Sequence, residues 1–381
     1  MTRANGSLRV GLVFGGRSVE HQISLRSART VARGLAEAGH VVVPLLIDQR
    51  GCWIPAAAGQ RALDDPACAH VAGDGGSSPI ADSLTALLDS GPLDALFPIV
   101  HGTGGEDGAL QGLAEMLDLP YVGTGIAASA VAMDKLLCKR VLQAAGLPVV
   151  PWRVVARAAF ADDRAAAIAP AIDWPRPVFV KPCVGGSSVG VVRVGAEDDL
   201  GDAVAESLRF DQRVLIERGI VGREIECAVI GETGAIEASP LGEIVAGQAF
   251  YDYADKYLDD AATLVAPAEV SEALTARLRA WAVEAFAAID GEGMARVDFL
   301  VAHGAADDGS SGVYVNEINT APGFTDISMY PRLWALGGRP LPQLVDDLLR
   351  FAIARHARGR DADAAIRRWT DALTDGRSAN G

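Results

Sequence analysis

Short apolar runs closed by glycine and followed by helix-period stretches organise the first third of the chain. Leu8 to Phe14 is apolar except at Arg9 and predicts a buried strand that ends at Gly15-Gly16; a helix is expected from about Ser24 to Ala38, and His40 to Ile47 predicts the next strand. Strand, glycine turn, helix, strand is the order of a parallel α/β layer. Residues 56–78, rich in Ala, Gly, Asp and Pro, predict a surface excursion before a helix near Ser83 to Ser90. Leu93 to Val100 is a third strand. It leads into His101-Gly102-Thr103-Gly104-Gly105-Glu106-Asp107-Gly108, a loop too rich in glycine to serve packing alone.

Further along, Ala127 to Ala145 predicts one helix closed by Gly146-Leu147-Pro148. Val178 to Lys181 and Gly190 to Val194 predict a hairpin around a glycine-serine loop, with Val214 to Glu217 another short strand. Ile225 to Ile230 and Ile236 to Ser239 are strands, and a long helix is expected within Ala266 to Ala288. Arg296 to Leu300 and Val313 to Asn319 predict adjacent strands joined by the loop His303 to Gly312. From about His356 the chain is rich in Arg and Asp and predicts a weak helix and a frayed tail.

Composition narrows the function. With 381 residues and 50% hydrophobic positions the chain can bury a large core and divides into two or three domains. A net charge of -15 argues against nucleic acid or an anionic membrane as partner, since both call for a basic face. The five cysteines, Cys52, Cys68, Cys138, Cys183 and Cys227, show no metal-type pairing and suit a reducing cytoplasm. Neither a signal core nor a membrane-length apolar run is seen, so a soluble, unexported protein is expected. Of the 34 basic residues only Lys135, Lys139, Lys181 and Lys256 are lysines. An Arg-biased chain that keeps lysine in one stretch suggests sites where a compact cation matters, such as phosphate oxygens.

The chemistry-bearing residues agree with that hint. On the predicted strands Arg296 and Asp298 share one face, and Glu317 and Asn319 share another that pairing can align with it, so two carboxylates, an amide oxygen and a guanidinium converge. Hard oxygen donors suit Mg²⁺ bridged to nucleotide phosphates. Lys181 stands at a strand end just before the loop Pro182 to Gly190, whose backbone N–H groups can wrap phosphates; the lysine precedes the glycines, so this is not a Walker A loop. Glu217-Arg218-Gly219-Ile220 can offer backbone groups to an adenine edge, and Glu224 can hold ribose hydroxyls. The segment Gly15 to Glu20 lacks the three-glycine dinucleotide fingerprint, which disfavours an oxidoreductase.

Seven ordered motifs from about Val10 to Leu333 together resemble the D-alanine-D-alanine ligases of the ATP-grasp superfamily. They are Gly15-Gly16-Arg17-Ser18-Val19-Glu20-His21, the His101 to Gly108 loop, Met133-Asp134-Lys135, Val180-Lys181-Pro182 with Gly186-Ser187-Ser188-Val189-Gly190, Gly222-Arg223-Glu224-Ile225-Glu226, Phe250 to Tyr257, and Asn316 to Thr325. The resemblance implies an ATP-grasp fold of α/β and α+β type: an N-terminal Rossmann-like parallel domain over 1–126, a small central lid domain over 127–220, and a C-terminal mixed-sheet catalytic domain over 221–355, leaving 356–381 as tail. It implies ATP and two Mg²⁺ ions, with Mn²⁺ as a substitute, D-alanine as substrate, and a homodimer.

The resemblance also implies roles. Lys135 and Lys181 are expected on the ATP phosphates with Gly186, Ser187, Ser188 and Lys256; Glu217, Arg218, Ile220 and Glu224 belong to the nucleoside site. Asp298, Glu317 and Asn319 are the expected metal ligands. Glu20 would receive the first D-alanine's ammonium, linked to Ser187 and Tyr257, with His101 near the carboxylate that is phosphorylated. Arg296 and the backbone around Gly323 would stabilise the tetrahedral oxyanion, Ser328 and Met329 would receive the second carboxylate, and Lys256 and Tyr257 belong to a closing loop.

The expected reaction is ATP-dependent formation of D-alanyl-D-alanine through a D-alanyl phosphate, for peptidoglycan precursors. Rivals are a D-alanyl-D-lactate ligase of the same fold, against which the Tyr257 loop argues because Tyr favours an amine over a hydroxyl nucleophile, a D-alanyl-D-serine ligase of that fold, and a non-catalytic ATP-binding protein. Departures from the family pattern are Gln22, where an acid is common, Arg218, where Lys or Gln is common, and Cys183 in the phosphate loop, expected as a packed thiol rather than an activated one.

Overall fold

The computed structural model describes residues 6–65, 79–245 and 263–374. Three sheets carry it. In the first, β1 (Arg9–Gly15), β2 (Val41–Ile47) and β4 (Ala95–Pro98) run parallel in the order β3-β2-β1-β4, with the short β3 (Trp53–Ile54) antiparallel at the edge. The second is antiparallel in the order β5-β8-β6-β7, formed by β5 (Trp152–Ala156), β6 (Val178–Pro182), β7 (Val192–Val194) and β8 (Arg213–Arg218). The third, ordered β11-β10-β9-β12-β13, comprises β9 (Gly222–Glu232), β10 (Ala235–Val245), β11 (Thr263–Val265), β12 (Gly293–Ala302) and β13 (Val313–Asn319). Its five strands are antiparallel, and its mixed character comes from the isolated parallel bridge Val149 to Val315.

Three expectations change. The single helix expected over Ala127 to Ala145 is two, Ile126–Met133 and Lys135–Ala144. Asp134 separates them: its extended backbone stops the first, and its side chain accepts hydrogen bonds from the N–H groups of Leu136 and Leu137, capping the second. The expected excursion over 56–78 starts as the helix Ala56–Asp64, while 66–78 lie outside the described residues. The segment from His356, expected as a weak helix and a frayed tail, continues the regular helix Leu341–Thr374, and 375–381 lie outside the described residues. Long-range partners hold it: Arg355 donates to the carbonyls of Tyr121 and Gly123, and Arg358 pairs with Glu232 and Glu292.

The long helix packed on the third sheet lies within the expected span, as Glu272–Ala288, and starts where the Ser271 hydroxyl accepts from Leu274 N–H at 3.1 Å. One core joins the first sheet to the third. Val10, Leu12 and Phe14 pack with Ile230, Met294, Phe324, Tyr330 and Leu348, all fully or nearly fully buried. This core fixes the carboxyl ends of β1 and β4 over the face of the third sheet, and the cleft opens between them.

Candidate active site

The cleft has two contiguous halves of about 680 and 640 Å³. Lys135, Gly185, Gly186, Ser187, Glu224 and Glu317 line both and so mark the junction. The first half also takes in Glu20, His101, Arg296, Asp298, Asn319, Gly323, Ser328 and Met329; the second takes in Lys181, Ser188, Glu217, Arg218 and Ile220. Every described residue of the expected site therefore falls on one continuous cleft. Lys256 and Tyr257, with the loop Tyr251 to Tyr257, lie outside the described residues.

Strand register explains the acidic floor. Arg296 pairs with Asn319, while Asp298 lies opposite Glu317 on one side and Glu226 on the other, so the face shared by Arg296 and Asp298 is that of Glu317 and Asn319. A row of three carboxylates across adjacent strands is destabilising unless cations answer it. Arg296 supplies one. Its Nε and Nη2 donate to the two oxygens of Asp298 at 2.7 Å each, and Nε lies 3.0 Å from Glu226 Oε1. Burial would lower the guanidinium's pKa, but Asp298 and Glu226 outweigh it and hold Arg296 charged well above its ordinary range.

The donor set fits a hard divalent cation completed by phosphate. Among the described residues no three of His, Cys, Asp and Glu converge as a closed metal cage, and Mg²⁺ commonly binds through one or two carboxylates with the rest of its shell from substrate phosphates and water. Asn319 Oδ1 accepts from Ala321 N–H at 3.0 Å, which orients the amide at the same cleft wall.

Lysines line the opposite side. Lys135 heads its helix beside Asp134, its backbone N–H bonded to Cys183 O at 2.8 Å and its ammonium donating to Gly185 O. Burial, with Lys181 nearby, lowers its pKa. Lys181 Nζ lies 2.6 Å from Glu217 Oε2, and although burial opposes it, Glu217 raises the lysine's pKa. In the loop that follows Lys181, Ser187 and Ser188 both adopt left-handed backbone, at φ 51° and 57°, a conformation that side-chain-bearing residues seldom hold without a local reason. At Gly186 a methyl group would sit 3.4 Å from the Glu20 carboxylate, so the loop lies directly against that acid.

His101 is 3% exposed, and its Nδ1 lies 3.0 Å from Ala321 O. A carbonyl only accepts, so Nδ1 carries a proton and donates. Nε2 meets Ser27 Oγ at 3.2 Å, and Glu106 Oε1 lies 3.6 Å from Nδ1. Burial disfavours the imidazolium, but Glu106 outweighs it and raises the histidine's pKa; burial together with Glu20 raises that of Glu106. Ser328 Oγ contacts Thr325 N–H and Oγ1 at 2.9 and 2.7 Å, and a methyl at Gly323 would collide with it at 2.9 Å. A side chain at Gly323 would therefore displace the Ser328 hydroxyl.

Several cleft residues escaped the sequence reading. Glu226 alternates with Glu224 on β9, and that spacing alone could have assigned it to the same face. Arg26, Arg29 and Arg33 line the first half beside Thr30, and their i, i+3, i+7 spacing on the helix His21–Glu37 was a readable stripe. Lys139, one of the four lysines, is interior: it is 2% exposed and lies 2.7 Å from Glu217. Gln22 is exposed and does not line the cleft. Cys183 is fully buried and its thiol is pushed up to about 12 by burial, so it is a packed thiol.

Known proteins resemble the chain over most of its length. The family description "D-ala D-ala ligase N-terminus" matches residues 9–124 and "D-ala D-ala ligase C-terminus" matches 141–350. The chain is 42% identical to D-alanine–D-alanine ligase A of Escherichia coli (strain K12), covering 94% of this chain and 98% of that one. It is similar in structure to the D-alanine-D-alanine ligase of Coxiella burnetii, with TM-score 0.76, 35% identity, and 95% and 99% of the two chains covered. It is also similar to the VanG D-Ala:D-Ser ligase of Enterococcus faecalis, with TM-score 0.72, 26% identity, and 91% and 99% covered.

Proposed function

The chain belongs to the D-alanine–D-alanine ligase family, ATP-dependent enzymes of peptidoglycan precursor synthesis, and from that premise we propose how its own residues divide the reaction. Ligation of two D-alanines with ATP is its activity. The observation that carries the assignment of roles is the junction at Lys135, Gly185 to Ser187, Glu224 and Glu317, which gives one cleft a cationic nucleotide half and an amino-acid half bearing Glu20, His101 and Arg296.

A carboxylate is a poor acyl donor, so the γ-phosphoryl group of ATP is first transferred to the carboxylate of one D-alanine, forming an acyl phosphate and ADP. Lys135 and Lys181 neutralise the phosphates, assisted by backbone N–H groups of the loop Gly186 to Ser188. The backbone of Glu217, Arg218 and Ile220 meets the adenine edge, and Glu224 holds the ribose. Asp298, Glu317 and Asn319 would hold Mg²⁺, which when bound supplies further neutralisation of phosphate charge. Glu20 receives the ammonium of the first D-alanine, Gly186 of the phosphate loop lies against that acid, and the His101 region orients the carboxylate. Ser328 and the backbone at Met329 receive the carboxylate of the second D-alanine, whose amine attacks the acyl carbon. Arg296 and the backbone at Gly323 stabilise the tetrahedral oxyanion as phosphate leaves.

The finer features follow the same reading. Domain divisions near residues 126 and 220 are supported by three sheets that fall within 9–98, 152–218 and 222–319. No helix among the described residues is long and apolar enough to cross a membrane. We propose a cytoplasmic homodimer, with Lys256 and Tyr257 closing the site against hydrolysis of the acyl phosphate. The test is phosphate release by the purified protein with ATP, Mg²⁺ and D-alanine, with D-lactate or D-serine supplied in competition and products assigned by mass. D-alanyl-D-alanine as the main product supports the reading. A predominance of the depsipeptide or of D-alanyl-D-serine reassigns the second-substrate site.

A further inference from the structure

Lys139 lines neither half of the cleft, yet its ammonium is more deeply buried than that of Lys181, 2% against 16% exposed. It projects from the helix Lys135–Ala144, one turn beyond Lys135, toward β8. There its Nζ stands 2.7 Å from Glu217 Oε1, while Lys181 Nζ stands 2.6 Å from Oε2. Glu217 is itself only 3% exposed. A single buried carboxylate is thus shared between an interior ammonium and one that faces the nucleotide half. The Lys139 contact is an ion pair at 2.7 Å, and it helps to hold the Glu217 carboxyl below its ordinary range.

Burying an ammonium costs several kcal/mol before pairing, and an apolar side chain could fill the same helix position without that penalty. The charge count gives the reason for retaining it. Glu217 with Lys181 alone is a neutral pair, and the lysine's charge is spent on the protein. Adding Lys139 makes the trio +1, and of the two lysines only Lys181 lines the cleft. The choice of lysine in a chain with 30 arginines also follows. A guanidinium engages both oxygens of a carboxylate, as Arg223 does with Glu243 and Arg296 with Asp298, whereas an ammonium can take one oxygen and leave the other to a second lysine.

We propose that Lys139 is a positioning residue for nucleotide binding: it answers the charge of Glu217 from the interior, so that Lys181 presents its own charge to the polyphosphate. The inference rests on the assignment of the second half of the cleft to ATP. The experiment measures affinity of the full chain for Mg-ADP by calorimetry, together with the KM values for ATP and D-alanine. Lys139→Met is expected to weaken Mg-ADP roughly tenfold, about 1.4 kcal/mol, and to raise the KM for ATP with little change in that for D-alanine. Lys139→Met combined with Glu217→Gln restores a net +1 at Lys181 and is expected to recover most of the affinity. Lys139→Gln, which retains a polar contact to Glu217 without the charge, supplies the same measurement if the Met variant does not fold. Wild-type affinity in the neutral single variants, or a double variant no better than they are, overturns the proposal. A wild-type protein that binds no Mg-ADP, or a Lys181→Met variant that binds it undiminished, overturns the nucleotide assignment instead.

Discussion

Arg296 grips Asp298 across two positions of one strand, Nε to Oδ1 and Nη2 to Oδ2, both at 2.7 Å. Because Glu226 holds the same guanidinium from the neighbouring strand, the arginine's plane is set before any substrate arrives. Lysine cannot reproduce that fork. Arg296→Lys is therefore expected to lower kcat about 10²- to 10³-fold, the scale of losing one oxyanion donor, with the KM for ATP little changed. Arg296→Ala also leaves two buried carboxylates uncompensated and should destabilise the fold by about 3–5 kcal/mol. Steady-state phosphate release and denaturant titration check the two parts.

Asn319 and Gln22 provide a contrast in position. Asn319 lines the cleft beside the Arg296–Asp298 pair, and Gln22 lies exposed outside it. Asn319→Ala is expected to lower kcat on the order of 10²-fold and to raise the Mg²⁺ concentration needed for half-maximal rate. Gln22→Ala should stay within about twofold, as a surface change. A Mg²⁺ titration of both variants decides it; equal losses would remove Asn319 from the metal site.

Glu217 predicts an acid limb in stability. Burial alone would raise its carboxyl, but Lys139 and Lys181 outweigh this and bring it down to about 2 from the ordinary 4.5. A depressed carboxyl contributes stability that is complete above the unfolded value and is lost as pH falls through the folded one. The destabilisation caused by Glu217→Gln should therefore be constant above about pH 5 and shrink between pH 4.5 and pH 2, by on the order of 3 kcal/mol. Unfolding curves across that range check it, and a pH-independent difference contradicts it.

The buried thiols predict chemical silence. Burial pushes Cys138, Cys183 and Cys227 up to about 12, so all three are neutral at pH 8. In native protein they should resist an aromatic disulfide reagent that titrates all five cysteines after denaturation. Peptide mapping of the labelled native protein gives the answer, and rapid modification of Cys183 would show that the phosphate loop opens.

Much of this molecule was readable from residue order. Strand period put Arg296, Asp298, Glu317 and Asn319 on faces that could align, and the observed register aligns them. The glycine-serine loop after Lys181 and the glycine-rich loop after β4 were evident as punctuation, and both line the cleft. Local pattern was weaker where two periods coincide: Ala127 to Ala145 is helical on both sides of Asp134, and only the bond from Arg213 at 2.6 Å together with the two capped N–H groups makes that residue a boundary. The Arg- and Asp-rich stretch after His356 has little apolar period of its own and takes its order from Asp118, Glu232 and Glu292, which are far away in the chain.

Residue types and their spacing were enough to give a parallel α/β layer and the phosphate and acidic motifs, because each of those is written within a strand, a turn or a helical period, and the order of the motifs carried the family resemblance that implied the whole fold and the reaction. The pairing of charges was not. Lys139, Lys181 and Glu217 belong to a helix and two strands dispersed over the chain, and Glu226 meets Arg296 only through strand register. An isolated buried charge is costly, so its meaning depends on which opposite charge packing brings within about 3 Å of it. That distance is a property of the folded chain, and no local pattern encodes it.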